Sequence, residues 1–396
     1  MEILTEKIDL NNLDKSNWET FKFDEIAQKI SKTIDPNETT LETYIGLEHI
    51  DAEDLHIRRK GSPDDVKGVK LRCYPGDIIF GKRRAYQRKA AIVDFDGICS
   101  AHAFVLRANS EVIDPKLFPF FLHSDQFMHR MVDISVGGLS PTINWGDLKH
   151  QEFLLPPKDQ QAQLAKLLWA MDVEIEKEKE VLKKLKVFYQ VEIDKSVPRK
   201  TKESWILGDV IKTRKGVTYK SSDYSDKDNG LPLLNLKSIE KGGGFNTDGI
   251  KYYKGAHKKE HFVKNTDLII ACTDITREGR VVGYPLHPTV YQNKKMLFTM
   301  DLVAIEISNS VLLRDYLYYV LKAGWVHWIL FAYSPGTTVL HLDLNGMKKI
   351  KLPKYSMEKQ EKIVYKLRTL EESISTLESK IKSSQSLQKS LINQIF

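Results

Sequence analysis

The stretch Leu155–Ile175, LPPKDQQAQLAKLLWAMDVEI, has a distant echo in Leu352–Ile374, LPKYSMEKQEKIVYKLRTLEESI, and the pair decides the architecture. From the first copy onward, apolar residues fall at Leu164, Leu168, Met171, Ile175, Leu182 and Leu185. In the second they fall at Ile363, Leu367, Leu370, Ile374, Leu377, Ile381, Leu391 and Ile395. Steps that alternate between four and three keep one stripe of a helix facing a partner helix. Leu164 and Ile363, Leu168 and Leu367, Met171 and Leu370, Ile175 and Ile374, and Leu182 and Ile381 are each 199 residues apart. A register kept over five positions marks an internal repeat.

The repeat extends upstream with small shifts. Phe120-Phe121-Leu122 answers Tyr318-Tyr319-Val320, and Phe127 answers Trp325, at 198 residues. Gly76-Asp77-Ile78-Ile79 answers Thr266-Asp267-Leu268-Ile269 at 190, and Trp18 answers Trp205. A drifting offset means insertions in loops between shared elements. Each half therefore reads as a globular domain followed by a long helix, within the usual size of one domain. The runs Asp77–Phe80, Ala90–Asp94, Phe104–Leu106, Leu268–Ala271 and Leu302–Ile307 predict strands, bounded by Gly, Pro, Asp and Asn. Leu117–Val132 and Leu312–Leu330 predict aromatic-rich helices. Ser196–Lys202 has no periodicity and reads as the joint between halves.

Composition and missing motifs narrow the function. The 396 residues carry 60 Lys+Arg against 53 Asp+Glu, a formal charge of +7 that permits nucleic-acid binding without establishing it. Cys73, Cys99 and Cys272 are too few and too scattered for a disulfide framework or a cysteine-rich zinc site, and suit a reducing cytoplasm. No apolar run reaches membrane-spanning length, and the first residues have no signal-peptide core. The sole Pro-Pro, in Leu155-Pro156-Pro157-Lys158, lacks the acidic or amide residue and the aromatic that would hold a flipped base for methylation. No GxxxxGK[ST] cradle is present, and Gly242-Gly243-Gly244 reads as a loop. Pro63-Asp64-Asp65-Val66-Lys67 hints at nuclease carboxylates, but no second acidic-x-Lys element follows on a strand. No catalytic or metal site emerges.

Binding residues do emerge. After the first Gly-Asp-Ile-Ile strand comes Lys82-Arg83-Arg84-Ala85-Tyr86-Gln87-Arg88-Lys89, where cations interleave with Tyr and Gln, a mixture that grips phosphates and reads base edges. The same slot in the second half holds Thr276, Arg277 and Arg280. Arg58 and Arg59, Lys215, and Lys258 lie in further basic patches. Any one patch equally fits a solvated loop; its repetition at corresponding places with different residues points to two readers of two sequences.

The chain resembles the specificity (S) subunit of type I restriction–modification systems. The resemblance covers nearly the whole length. It rests on the duplicated plan, on the Gly-Asp-Ile-Ile strand start, and on Leu-Pro-Pro-Lys-Asp-Gln-Gln-Ala-Gln-Leu running into the heptad helix, with Gln161 and Gln360 each three residues before the stripe. Gly138 ahead of Ile143–Leu148, and Gly336-Thr337-Thr338 ahead of Leu340, are also family-like. The second copy departs in having one Pro and an insertion, Tyr355-Ser356-Met357.

The resemblance implies an α+β fold. Two similar α/β target recognition domains, 1–158 and 201–355, alternate with a spacer helix and linker at 159–200 and a C-terminal spacer helix at 356–396. The helices pair as an antiparallel coiled coil in a pseudo-two-fold repeat. Each domain reads one half of a bipartite site in double-stranded DNA, and the helices set the spacing and dock methyltransferase subunits, two per chain. Motor–nuclease subunits complete the restriction complex. This chain is non-catalytic and holds no cofactor, AdoMet being bound by the methyltransferase partner. A coiled-coil adaptor for proteins, and a self-contained nuclease or methyltransferase, are the competing readings.

Overall fold

The computed structural model describes residues 13–288, 295–308 and 310–396. Contacts group the chain into two units: residues up to 179 with 379–396, and residues 180–378. Each long helix therefore contributes to both units, whereas the sequence reading placed boundaries at the helix ends.

In the first unit an antiparallel sheet runs in the order Ala27–Ile30, Ala103–Ala108, Ile78–Gly81, Ala90–Ile92. A second sheet has the order Thr33–Ile34, Lys70–Cys73, Gly97–Cys99, Tyr44–Ile45, its last pair parallel. The second unit repeats the order of the first sheet but not that of the second. Ile211–Lys215, Leu302–Ile307, Leu268–Ala271 and Pro285–Leu286 form one sheet. Tyr224–Ser225, Lys251–Tyr253, Leu231–Leu234 and Leu297–Phe298 form the other, again ending in a parallel pair. The strand beginning at Ile78 is fully buried, as is its counterpart from Leu268, so both read as continuous apolar runs.

The aspartates that open these two strands are buried as well. Asp77 accepts the Tyr74 N–H at 3.0 Å and pairs with Arg107 at 2.7 Å. Asp267 accepts the Lys264 N–H at 2.7 Å and pairs with Arg214 at 2.5 Å. A buried carboxylate needs such a partner. Arg107 comes from the central strand Ala103–Ala108, but Arg214 comes from the edge strand Ile211–Lys215, so the halves meet one demand from different places.

Both predicted aromatic helices are interrupted. The first divides into Phe118–His123 and Asp125–Asp133, the second into Arg314–Lys322 and Gly324–Ala332. At the first break Ser124 adopts an extended conformation and its hydroxyl accepts the Phe127 N–H, an N-cap that ends one helix and starts the next. Ala323 is extended at the second break. These helices correspond at 199, one more than the sequence alignment assigned, which puts Val326 rather than Trp325 in the place of Phe127; both are wholly buried. Short ribbons close each domain, Glu19–Lys22 on Glu152–Leu155 and Ser204–Ile206 on Lys351–Pro353. Their register pairs Phe21 with Phe153 and Trp205 with Leu352, so Trp205 takes the place of Phe21, and the assigned match to Trp18 is corrected. Trp18 packs instead with Leu164 and Leu168.

The long helices span Lys158–Ser196 and Met357–Ile395, 39 residues each. In the first unit Leu164 and Leu168, near the start of one, cluster with Leu391, Ile392 and Ile395, near the end of the other. In the second unit Tyr189 and Ile193 share a core with Ile363, Leu367 and Ile374. The pairing is antiparallel, as the family resemblance implied.

Gln161 and Gln360 fix both helix starts by the same three bonds. Gln161 Oε1 accepts the Asp114 N–H at 2.6 Å, and its Nε2 donates to the Val112 carbonyl at 3.0 Å and the Pro156 carbonyl at 2.8 Å. Gln360 bonds Leu313, Val311 and Tyr355 at 2.9, 2.7 and 3.0 Å, every partner 199 residues on. Nothing is inserted before the second helix: Tyr355 and Ser356 simply occupy the places of Pro156 and Pro157.

Candidate nucleic-acid interface

Each half joins two loops side by side. In the first unit the segment after Gly81 meets the segment after the Asp125–Asp133 helix. Ile143 N–H donates to the Lys82 carbonyl at 2.9 Å, Arg84 N–H to Pro141 at 2.7 Å, and Val136 and Thr142 exchange backbone bonds at 3.1 and 2.9 Å. Arg84, at φ 58°, and Arg88, at φ 52°, lie in the left-handed region on either side of the turn Ala85–Gln87. The Arg84 guanidinium donates to Ser140 Oγ at 3.2 and 3.0 Å, tying one loop to the other. Gly137, at φ 116°, makes the bend that a side chain would resist.

The predicted cations divide by role. Arg83 is exposed, Tyr86 is 55% exposed, and Gln87 is half-buried beside them. Lys82 lies 5.2 Å from the Phe104 ring, and burial, with help from Lys29, holds its ammonium below the usual lysine range. Arg88 is occupied by the protein itself, pairing with Glu53 at 2.7 Å and Asp125 at 2.6 Å. Lys89 donates to the Leu47 carbonyl at 2.5 Å. Arg58 bridges Asp54 at 2.9 Å and Glu176 at 2.5 Å, which holds the Glu176 carboxyl down at about 2. Arg59 pairs with Asp51 at 2.7 Å. These four charges serve the fold, because ion pairs cannot be told from free cations along a sequence.

The second unit builds the same junction differently. Thr273–Asp274 pairs with Leu340–His341, and Leu342 N–H donates to the Cys272 carbonyl at 2.8 Å. The buried Asp274 carboxylate organises the loop, accepting N–H groups of Val281 at 2.6 Å, Thr276 at 2.8 Å and Val282 at 3.1 Å, and the Thr276 hydroxyl at 2.7 Å. Burial opposes its ionisation, yet these donors hold it below the usual carboxylate range. Thr276 is thus a scaffold residue. Arg277 and Arg280 are exposed, Arg280 3.5 Å from Glu278, and Ile275 on the same loop is 74% exposed. Lys215 is exposed and close enough to oppose the upward shift that burial imposes on the Cys272 thiol, so it flanks the loop. Lys258 lies on a separate turn, 3.7 Å from Glu260.

The sequence reading did not foresee that a second loop, Ser135–Thr142 in one half and Ser334–His341 in the other, lies beside each candidate loop. Their glycines were noticed only as motif, and nothing local reveals that they bridge to the basic loops. Asp64 and Asp65 sit in a short turn where Asp65 accepts the Ser62 N–H at 2.9 Å. Among the described residues, no group of three or more His, Cys, Asp or Glu side chains is placed to hold a metal ion, and no helix is long and apolar enough to cross a membrane.

Two similar α/β domains, each presenting a loop pair of different chemistry and joined to long paired helices, define a duplicated recognition protein. The family model "Type I restriction modification DNA specificity domain" matches residues 15–187 and again 200–384, and the chain belongs to that family. The EcoDI specificity subunit of Escherichia coli is 29% identical over 155 residues, 38% of this chain and 34% of the relative. The putative MjaX specificity subunit of Methanocaldococcus jannaschii is 21% identical over 375 residues, 88% of this chain and 84% of the relative. The match thus spans about a third of the E. coli subunit and most of the archaeal one. Among solved structures, a chain of a type I restriction–modification system superposes with a TM-score of 0.60 at 20% identity, covering 96% of both chains. The type I S subunit from M. genitalium gives 0.56 at 16% identity, covering 97% of this chain and 98% of that one. Both share the fold.

Proposed function

We propose that this chain is the non-catalytic specificity subunit of a type I restriction–modification complex. Each domain reads one half of a bipartite site in double-stranded DNA. The observation that carries this is the duplicated loop junction. One scaffold presents Arg83, Tyr86 and an Arg84 bound to Ser140 in the first half, and Arg277 and Arg280 on a loop organised by buried Asp274 in the second. Arginine pairs with guanine edges and Gln87 suits adenine, so two unlike loops on one scaffold read unlike sequences.

The long helices set the distance between half-sites and dock methyltransferase subunits, two per chain to match the internal repeat. Exposed Val181, Val187, Phe188 and Val191 on the central helix provide apolar surface for such a partner. AdoMet is bound by that partner, motor–nuclease subunits join for restriction, and the complex works in the cytoplasm. The test is salt-dependent binding of the assembled complex to duplex DNA, whose affinity falls steeply with salt when phosphates are neutralised. Salt-independent or absent binding would instead favour the coiled-coil adaptor.

A further inference from the structure

We propose that Leu139 is an apolar wedge that the first domain inserts between stacked bases of its half-site. The inference rests on the DNA-reading function above. Leu139 is 97% exposed, the most exposed large apolar side chain among the described residues. It stands at the tip of Gly137-Gly138-Leu139-Ser140-Pro141. Such exposure has no benefit in the free protein, since burying the side chain would be favourable.

The tip is narrow and braced. Gly137 turns the chain at φ 116°, and a Cβ placed on Gly138 would meet nothing within 4 Å, so one side of the leucine is clear of protein. On the other side Ser140 is held by the Arg84 guanidinium at 3.0 Å, and the Pro141 carbonyl accepts the Arg84 N–H at 2.7 Å. A rigid, thin projection carrying one branched apolar group suits entry between base pairs, where leucine can unstack a step and kink the duplex. Its surroundings fit a polyanion rather than an apolar protein surface: exposed Arg83 pairs in a β-bridge with Thr142, and exposed Tyr86 is on the same loop as Arg84. The corresponding residue of the second half is Thr338, a polar side chain that cannot serve as a wedge. The two half-sites are therefore distorted unequally.

The experiment uses the chain assembled with its methyltransferase subunits and a duplex carrying the motif that the complex methylates. 2-Aminopurine replaces each adenine of either half-site in turn, and its fluorescence reports unstacking. The wild-type complex should raise the fluorescence about threefold or more at one step of the first half-site. Leu139→Ala and Leu139→Thr should abolish that rise and weaken specific binding about tenfold, leaving the thermal midpoint of the free chain unchanged. Leu139→Phe should retain the rise. A rise that persists in Leu139→Ala overturns the wedge, because the partner's own opening of its target adenine would produce it. Equal signals from both half-sites overturn it too. Loss of sequence-specific binding by the wild-type complex overturns the underlying reading, and the wedge with it.

Discussion

Asn393 Oδ1 accepts the backbone N–H of Asp125 at 2.8 Å, while its Nδ2 donates to the Asp125 carboxylate at 2.7 Å. The end of the C-terminal helix thereby caps the start of a helix in the first domain. In the other unit Asp194, 199 residues earlier, accepts the N–H of Gly324 at 2.7 Å. The central helix starts on one domain through Gln161 and ends on the other through Asp194. The C-terminal helix starts through Gln360 and ends through Asn393. Caps of this kind are worth about 1 kcal/mol. Asn393→Ala and Asp194→Ala should each destabilise by about that amount, and the double variant by their sum, since no contact is shared. Denaturant unfolding checks it.

Gln161 is buried and makes three bonds to buried or half-buried backbone groups. Gln161→Leu should cost about 3 kcal/mol or more, the penalty of leaving an N–H and two carbonyls unpaired. Gln360→Leu should match it. A loss under 1 kcal/mol in the same unfolding measurement would mean that the helix starts are held otherwise.

Arg83 and Arg88 are five residues apart and should behave oppositely. Arg83→Ala should leave stability alone, weaken DNA binding by about 1–3 kcal/mol and relax the first half-site only. Arg88→Ala breaks pairs to Glu53 and Asp125 and should lower the melting temperature of the free chain. Thermal melts and methylation motifs of the two variants separate these roles.

His56 Nε2 donates to the Asp172 carboxylate over 2.9 Å, and that bond raises the histidine above its ordinary range. A raised folded-state value stabilises fully below the unfolded value of about 6.5 and is lost as pH rises through the folded one. Stability should therefore fall more steeply as the pH rises above about 6.5 in the wild type than in His56→Asn. Glu176 shows the opposite sign: held at about 2 by Arg58, its contribution is present above the ordinary carboxylate value and is lost as the pH falls.

Most of the fold was written in the stripe. Leu164 to Leu182 matched Ile363 to Ile381 because coiled-coil packing admits only one period, so the repeat could be read directly, while the antiparallel pairing followed from the family resemblance. Where packing demands only bulk, the alignment slipped by one or three residues, as at Phe127 and Trp18. The breaks at Ser124 and Ala323 escaped because the apolar pattern runs on through both, and the helix starts beyond them are capped by Asn393 and Asp194, distant in sequence. At the interface the basic loop and its mirror were legible as charge. Which cations were already paired was not, since Arg58 meets Glu176, 118 residues away.

The helices should also act as a ruler. Inserting one heptad at mid-length in both keeps the stripe and adds about 10 Å, or about three base pairs. The unread spacer of the methylated motif should lengthen accordingly with both half-sites unchanged. An unaltered spacer would mean that the distance is set elsewhere.

The methylome of cells expressing this chain with its methyltransferase partner tests the central claim most directly. One bipartite motif is predicted, two short specified blocks around an unspecified gap, with Arg83→Ala altering one block and Arg277→Ala the other. A single continuous motif, or methylation that neither variant changes, would contradict the assignment of one half-site to each domain.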